Sequence, residues 1–117
     1  MWQAYNAICL LEAVNYFEHW GLTRTGSRPG SRDAWDTDST FTLYTLIGLS
    51  RHADHHAHAA RPFQQLRRVE ESPKLPYGYY AMVTLAQMRN RRFQELMTAE
   101  LKKRQLGPFA QSTTGDA

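Results

Sequence analysis

Four of the chain's five histidines fall between positions 52 and 58. His52, His55 and His56 stand at i, i+3 and i+4, so on a helix they share one face, with Cβ atoms about 5–6 Å apart. Three imidazoles so placed can converge on one metal ion or straddle two, and imidazole suits zinc, iron, copper and nickel. His58 is turned by about 100° or more from His52 and His56 and stays outside that group. Asp54 points away from His52 and suits orienting a neighbour rather than binding metal. A second polar feature lies far upstream. Glu12, Asn15 and His19 fall within about 60° of one another at helical spacing, as a polar stripe on an otherwise apolar segment. Burying such a stripe costs about 1–3 kcal/mol per unsatisfied group, so it faces a metal centre, a water-filled cavity or a partner helix with matching groups. Asn15 is placed to hydrogen-bond a metal ligand.

These residues leave other readings open. His19 can be a satisfied core histidine, the 52–58 cluster can be an exposed helix face, and His52, His55 and His56 can hold a single zinc. The sequence has no H-E-x-x-H motif, no glycine-rich phosphate loop and no G-x-S-x-G. Cys9 sits in an apolar stretch that keeps a thiol inert.

The elements that must position these groups read as helices. Residues 2–20 are apolar nearly all round, and Gly21 supplies a stop. The polar groups within them argue against a free lipid-facing span. Residues 22–38 read as a loop with Gly26, Pro29, Gly30 and three arginines. Asp36–Ser39 offer helix caps for the uncharged run 40–50, and this helix is expected to continue through 57. Pro62 opens a short element to Val69. Residues 70–77 form a turn-rich connection. Residues 78–106 form a long helix, apolar and then amphipathic, that ends at Gly107-Pro108. The fold class is therefore all-α, with three or four helices and no sheet. Residues 1–108 form the structured part and 109–117 a disordered tail. His19 is expected to come within metal-bridging reach of the 52–56 helix.

Composition narrows the classes further. The 117 residues are 42% hydrophobic and 21% charged, which is ordinary for a folded domain. A net charge of +3 is too weak to argue for nucleic acid. One cysteine excludes an internal disulfide framework. There is no secretory signal pattern, and no run of about 18 uncharged apolar residues. A mean hydropathy of −0.59 argues against a complete polytopic membrane protein.

Local motifs carry a resemblance. Asn15-Tyr16-Phe17-Glu18-His19-Trp20-Gly21-Leu22 resembles the N-Y-x-E-H-x-G-L motif of the membrane-bound alkane 1-monooxygenases. Leu49-Ser50-Arg51-His52-Ala53-Asp54-His55-His56-Ala57 resembles their R-H-x-D-H-H-A motif. Arg61-Pro62-Phe63-Gln64-Gln65-Leu66-Arg67 and Leu75-Pro76-Tyr77-Gly78-Tyr79 are similar to the segments downstream of that motif in those enzymes. The resemblance runs from about Leu10 to Tyr80 and, more weakly, to about Pro108.

The resemblance implies an integral-membrane, six-helix, non-haem di-iron hydroxylase that inserts one oxygen atom of O2 into the terminal C–H of an n-alkane. Electrons would come from a rubredoxin. His19, His52, His55 and His56 would be ligands to two iron ions, with Asn15, Glu18 and Asp54 orienting them. Two further histidine motifs and four membrane helices would lie upstream, which makes this the C-terminal part of such an enzyme, inactive alone. The ligand-bearing cap would sit on the cytoplasmic side of a bacterial inner membrane, in contact with lipid. Phe17, Leu46 and Leu49 would line an alkane tunnel, and Arg61, Arg67, Arg68 and Lys74 would dock the acidic rubredoxin. A small helical metal-binding module without catalysis, or a metal-free remnant, are the alternatives.

Overall fold

The computed structural model describes residues 1–24 and 26–110. Helix α1 spans Trp2–His19, α2 Thr40–Thr45, α3 His52–Ala57, α4 Tyr79–Met88 and α5 Asn90–Arg104, with single 3-10 turns at Phe63–Gln65 and Gly107–Phe109. Among the described residues there is no strand, only one isolated bridge between Asp36 and Lys74. No described helix is long and apolar enough to cross a membrane.

The core lies where the end of α1 meets α4 and α5. Phe17, Met82, Phe93 and Met97 are fully excluded from solvent there. The remaining member of first rank comes from the loop. Trp35 is wholly buried, its backbone N–H donates to the Glu18 carbonyl at 2.7 Å, and its indole N–H donates to the Trp20 carbonyl at 2.9 Å. The loop thus satisfies carbonyls that the last turn of α1 leaves without helical partners. Gly21 follows with φ +71, and a side chain on it would collide with Leu101. Most of α1 upstream of this junction is bare. Trp2, Tyr5, Ile8 and Leu11 are each at least 60% exposed.

Three expected elements differ from the observed ones. The helix expected over 40–57 is two helices. Ser39 caps α2 by accepting from the Thr42 N–H, but Ile47 and Gly48 both take left-handed backbone, with φ 50 and 82, and turn the chain before α3. Gly48 adopts that conformation without the Cβ clash other residues meet, so the break belongs to the glycine inside the apolar run. The helix expected over 78–106 breaks at Arg89 (φ −138, ψ 51), where the composition changes from apolar to charged, and Asn90 Nδ2 donates to the freed Ala86 carbonyl at 3.0 Å. The element after Pro62 is a single 3-10 turn, and residues 66–69 continue without helix. The first two residues of the tail expected over 109–117 are described. Phe109 is half-buried in a 3-10 turn with the Lys102 ammonium 5.3 Å from its ring centre, and residues 111–117 lie outside the described residues.

Candidate metal centre

The last turn of α1 and the one-and-a-half turns of α3 bring three imidazoles together. His19 Nε2 lies 3.2 Å from His56 Nε2, and His56 Nε2 lies 2.9 Å from His52 Nε2. One ring nitrogen from each of these three residues falls within 4.8 Å of the other two. All three side chains are partly buried. His19 Nδ1 donates to the Asn15 carbonyl at 3.0 Å, which leaves Nε2 as the lone-pair nitrogen of the neutral ring. Asn15 thus orients His19 through its main chain, while its side chain is exposed.

The donor set fits a metal. An imidazole nitrogen has one in-plane site, either a proton or a lone pair, so His56 Nε2 can satisfy only one of its two imidazole neighbours by hydrogen bonding. A cation placed among the three nitrogens takes all three lone pairs at once. The N–N separations of 2.9 and 3.2 Å also suit donors that share one ion at metal–nitrogen distances of about 2.0–2.1 Å. Burial and the neighbouring His56, His19 and His55 rings push His52 down to about 3, and burial with His19 and His55 also lowers His56, so both stay unprotonated and open to metal at neutral pH. His52 Nδ1 is buried with no hydrogen-bond partner among the described residues, so the ring's polar contacts run through Nε2.

Two carboxylates were expected beside the ligands, and they do different things. Glu18, 3% exposed, places Oε2 3.3 Å from His52 Nε2 and accepts from the Tyr79 hydroxyl on Oε1 at 2.6 Å. Burial pushes its carboxyl up to about 7, against the Tyr79 hydrogen bond and with some help from Asp36. Asp54 is not at the centre. It accepts from the Arg61 guanidinium at 2.6 and 2.7 Å, the Arg67 backbone N–H at 2.8 Å and His58 Nδ1 at 3.2 Å. It therefore ties the segment after α3 back onto the helix that carries the imidazoles.

His55 stands aside. Its ring is exposed, 6.0 Å from the His52 ring and 6.3 Å from the His56 ring. Of the tunnel candidates, Leu46 and Leu49 line an apolar groove of about 460 Å³ together with Leu10, Leu11, Val83 and Tyr79. Phe17 does not. It is fully buried, packed edge-on against Tyr79 at 4.9 Å, because its face of α1 is the one turned into the core. Of the four docking candidates, Arg61 is held by Asp54 and Lys74 by Asp36, both mostly buried, whereas Arg67 and Arg68 lie on the surface. Sequence reasoning did not single out Tyr79 as a site residue, although it lies in one of the segments that carry the resemblance.

The sequence pattern of the family described as fatty acid desaturase matches residues 1–86. The chain is 44% identical over 90 residues to alkane 1-monooxygenase 1 of Pseudomonas aeruginosa, covering 72% of this chain and 24% of that protein. It is 41% identical over 87 residues to alkane 1-monooxygenase of Acinetobacter baylyi, covering 69% and 21%. A more distant relative, the hydroxylase component XylM of Pseudomonas putida xylene/toluene monooxygenase, is 31% identical over 68 residues, covering 57% and 18%. The chain thus spans about a quarter or less of the length of these curated relatives. The matched stretch contains both histidine-bearing helices, and the chain belongs to the fatty acid desaturase family.

Proposed function

We propose that this chain contributes part of the metal centre of a rubredoxin-dependent alkane 1-monooxygenase, which hydroxylates the terminal carbon of n-alkanes with O2. The observation that carries the reading is the convergence of His19, His52 and His56 from helices 33 residues apart in sequence. His19, His52 and His56 would hold one iron, and His55, on the outer side of α3, would serve the second iron of the pair. Iron held there would supply O2 reduction and C–H oxidation, which no amino-acid side chain performs on an unactivated methyl group. The protein's own residues do the rest. Asn15 fixes the His19 tautomer, Glu18 sits against His52, and Asp54 with Arg61 holds α3 in place. The groove beside Leu46 and Leu49 offers an alkyl chain an apolar wall that leads toward the Glu18 side of the centre. Arg67, with Arg68 exposed but paired with Asp38 and Glu70, would be the basic surface for an acidic rubredoxin. The wide bare face of α1 is apolar and suits lipid or further helices of a longer protein; the setting proposed for that protein is a bacterial inner membrane, with the centre on the cytoplasmic side.

The test is made in the longer protein that carries this segment, by iron content and conversion of octane to 1-octanol with reduced rubredoxin. His52→Ala or His19→Ala should abolish product and lower bound iron, whereas His58→Ala should be mild. Full iron content and turnover in His19→Ala and His52→Ala would overturn the reading. The 117 residues alone supply at most four candidate imidazole ligands, His19, His52, His55 and His56, and are expected to bind metal without turnover, as a non-catalytic metal-binding module would.

A further inference from the structure

We propose that Tyr79 is a positioning residue of the metal centre, its hydroxyl fixing the Glu18 carboxylate so that Oε2 stays at the edge of the centre, 3.3 Å from His52 Nε2, rather than swinging away. This rests on the reading that His19, His52 and His56 hold metal.

The structure places two groups on the Glu18 carboxylate: the Tyr79 hydroxyl on Oε1 at 2.6 Å and His52 Nε2 beside Oε2 at 3.3 Å. A carboxylate with one oxygen anchored keeps the other in place, whereas without the anchor its terminal torsion is broad and roughly two-fold. The anchor itself is rigid. Tyr79 is 1% exposed, its ring meets Phe17 edge-on, and its backbone N–H donates to Thr42 Oγ1 at 3.3 Å. Gly78 makes this seat possible, because a Cβ there would come within 2.8 Å of Thr42 Oγ1 and 3.0 Å of Ser39 Oγ. The start of α4 can therefore lie against the start of α2, and the phenol reaches across to α1. A neutral hydroxyl adds no charge to the centre, so its effect is one of placement. The same residue lines the apolar groove, so groove and centre meet at Tyr79. The hydroxyl's other neighbour, the Leu49 carbonyl at 3.4 Å, is much longer than the 2.6 Å bond to Glu18, so Glu18 is the main acceptor, and a phenylalanine would fill the same core space beside Phe17 without burying a polar atom.

The test is a cobalt(II) titration of the 117-residue chain in detergent, which reads affinity and the visible d–d spectrum of the bound ion. Tyr79→Phe should keep the helical circular dichroism, weaken cobalt binding by about tenfold to a hundredfold and shift the visible band. Glu18→Gln should do the same. The double variant should bind no worse than the weaker single variant, since the hydroxyl acts only through the carboxylate. Wild-type affinity and spectrum in Tyr79→Phe would overturn the proposal while leaving the metal centre intact. Additive losses, or loss of helix in Tyr79→Phe, would overturn it too, by making the hydroxyl a general structural group. A wild-type chain that binds no cobalt would overturn the metal reading on which the proposal rests.

Discussion

Asp54 and Glu18 are equally buried, each 3% exposed, and both sit next to imidazoles, yet their surroundings are opposite. Burial alone would raise Asp54, but the Arg67 N–H, the Arg61 guanidinium and the His58 ring outweigh it and hold the carboxyl below the usual carboxylate range. Among the described residues Glu18 has no cation beside it, only a phenol and a neutral imidazole, and burial lifts it to about 7. Asp54 is a finished structural joint. Glu18 belongs to a region whose polar groups are arranged for something the chain does not itself supply. The same contrast holds among the histidines, where His58 has its partner in Asp54 and the three converging rings compete for one another. A protein that leaves a buried carboxylate without a cation and three partly buried imidazoles competing for one another gives up stability at that place, and a bound cation restores it.

The comparison can be broken most sharply at Asp54. Asp54→Ala leaves the mostly buried Arg61 guanidinium and the Arg67 N–H without their acceptor, and should destabilise the chain by about 3 kcal/mol in urea unfolding followed by circular dichroism. A loss under about 1 kcal/mol would mean that the joint is not structural.

Glu18→Gln should do the reverse in the metal-free chain. The carboxyl's folded pKa, about 7, lies above its unfolded value of 4.5, so the folded state holds the extra proton between them. Relative to a glutamine, Glu18 therefore costs nothing below pH 4.5 and progressively more as pH rises through 7. At pH 8 the variant should be more stable than wild type by an amount on the order of 3 kcal/mol, with the two alike at pH 4. Equal stability at pH 8 would show that Glu18 is compensated after all. His52 has the opposite slope. Its folded pKa, about 3, lies below 6.5, so protonation of the unfolded chain lowers stability as pH falls through that window, and His52→Ala should flatten the acid limb of the stability profile.

The smallest effect is expected at His58. Its ring is about half exposed and makes one contact with Asp54, so His58→Ala should cost about 0.5 kcal/mol in the same unfolding assay and leave metal binding unchanged. A loss in metal binding as large as that from His52→Ala would place His58 in the centre.

The part of this contrast that depends on local spacing is legible in the sequence. The i, i+3, i+4 pattern places three imidazoles on one face, and the stripe through Asn15 and His19 shows that α1 turns a polar edge toward something. Spacing does not separate His55 from the other two, because the choice depends on where α1 crosses α3. Asp54 suits orienting a neighbour on spacing alone, but Arg61 becomes its partner through the turn in which its N–H donates to the His58 carbonyl, and the Arg67 N–H only through the turn at Phe63–Gln65. The break at Gly48 has a residue to announce it. The break at Arg89 has none of the usual ones, only the change from apolar to charged composition. Trp35 is hidden in a loop rich in glycine, proline and arginine, and it becomes core because the exposed carbonyls at the end of α1 need donors. Tyr79 is the least visible of the site residues, since its hydroxyl finds Glu18 across 61 residues.

The central claim is that α1 and α3 hold one ion jointly, and the most direct measurement is calorimetric titration of zinc into the 117-residue chain and its His19→Ala variant. Zinc is the probe because divalent affinities for such donors run above those of ferrous iron. The account predicts binding that saturates at no more than one ion per chain, and a loss of at least about a hundredfold in His19→Ala, since a three-nitrogen site becomes a two-nitrogen one. Unchanged affinity in His19→Ala would contradict it, because the metal would then be held by α3 alone and the convergence of the two helices would have no part in binding it.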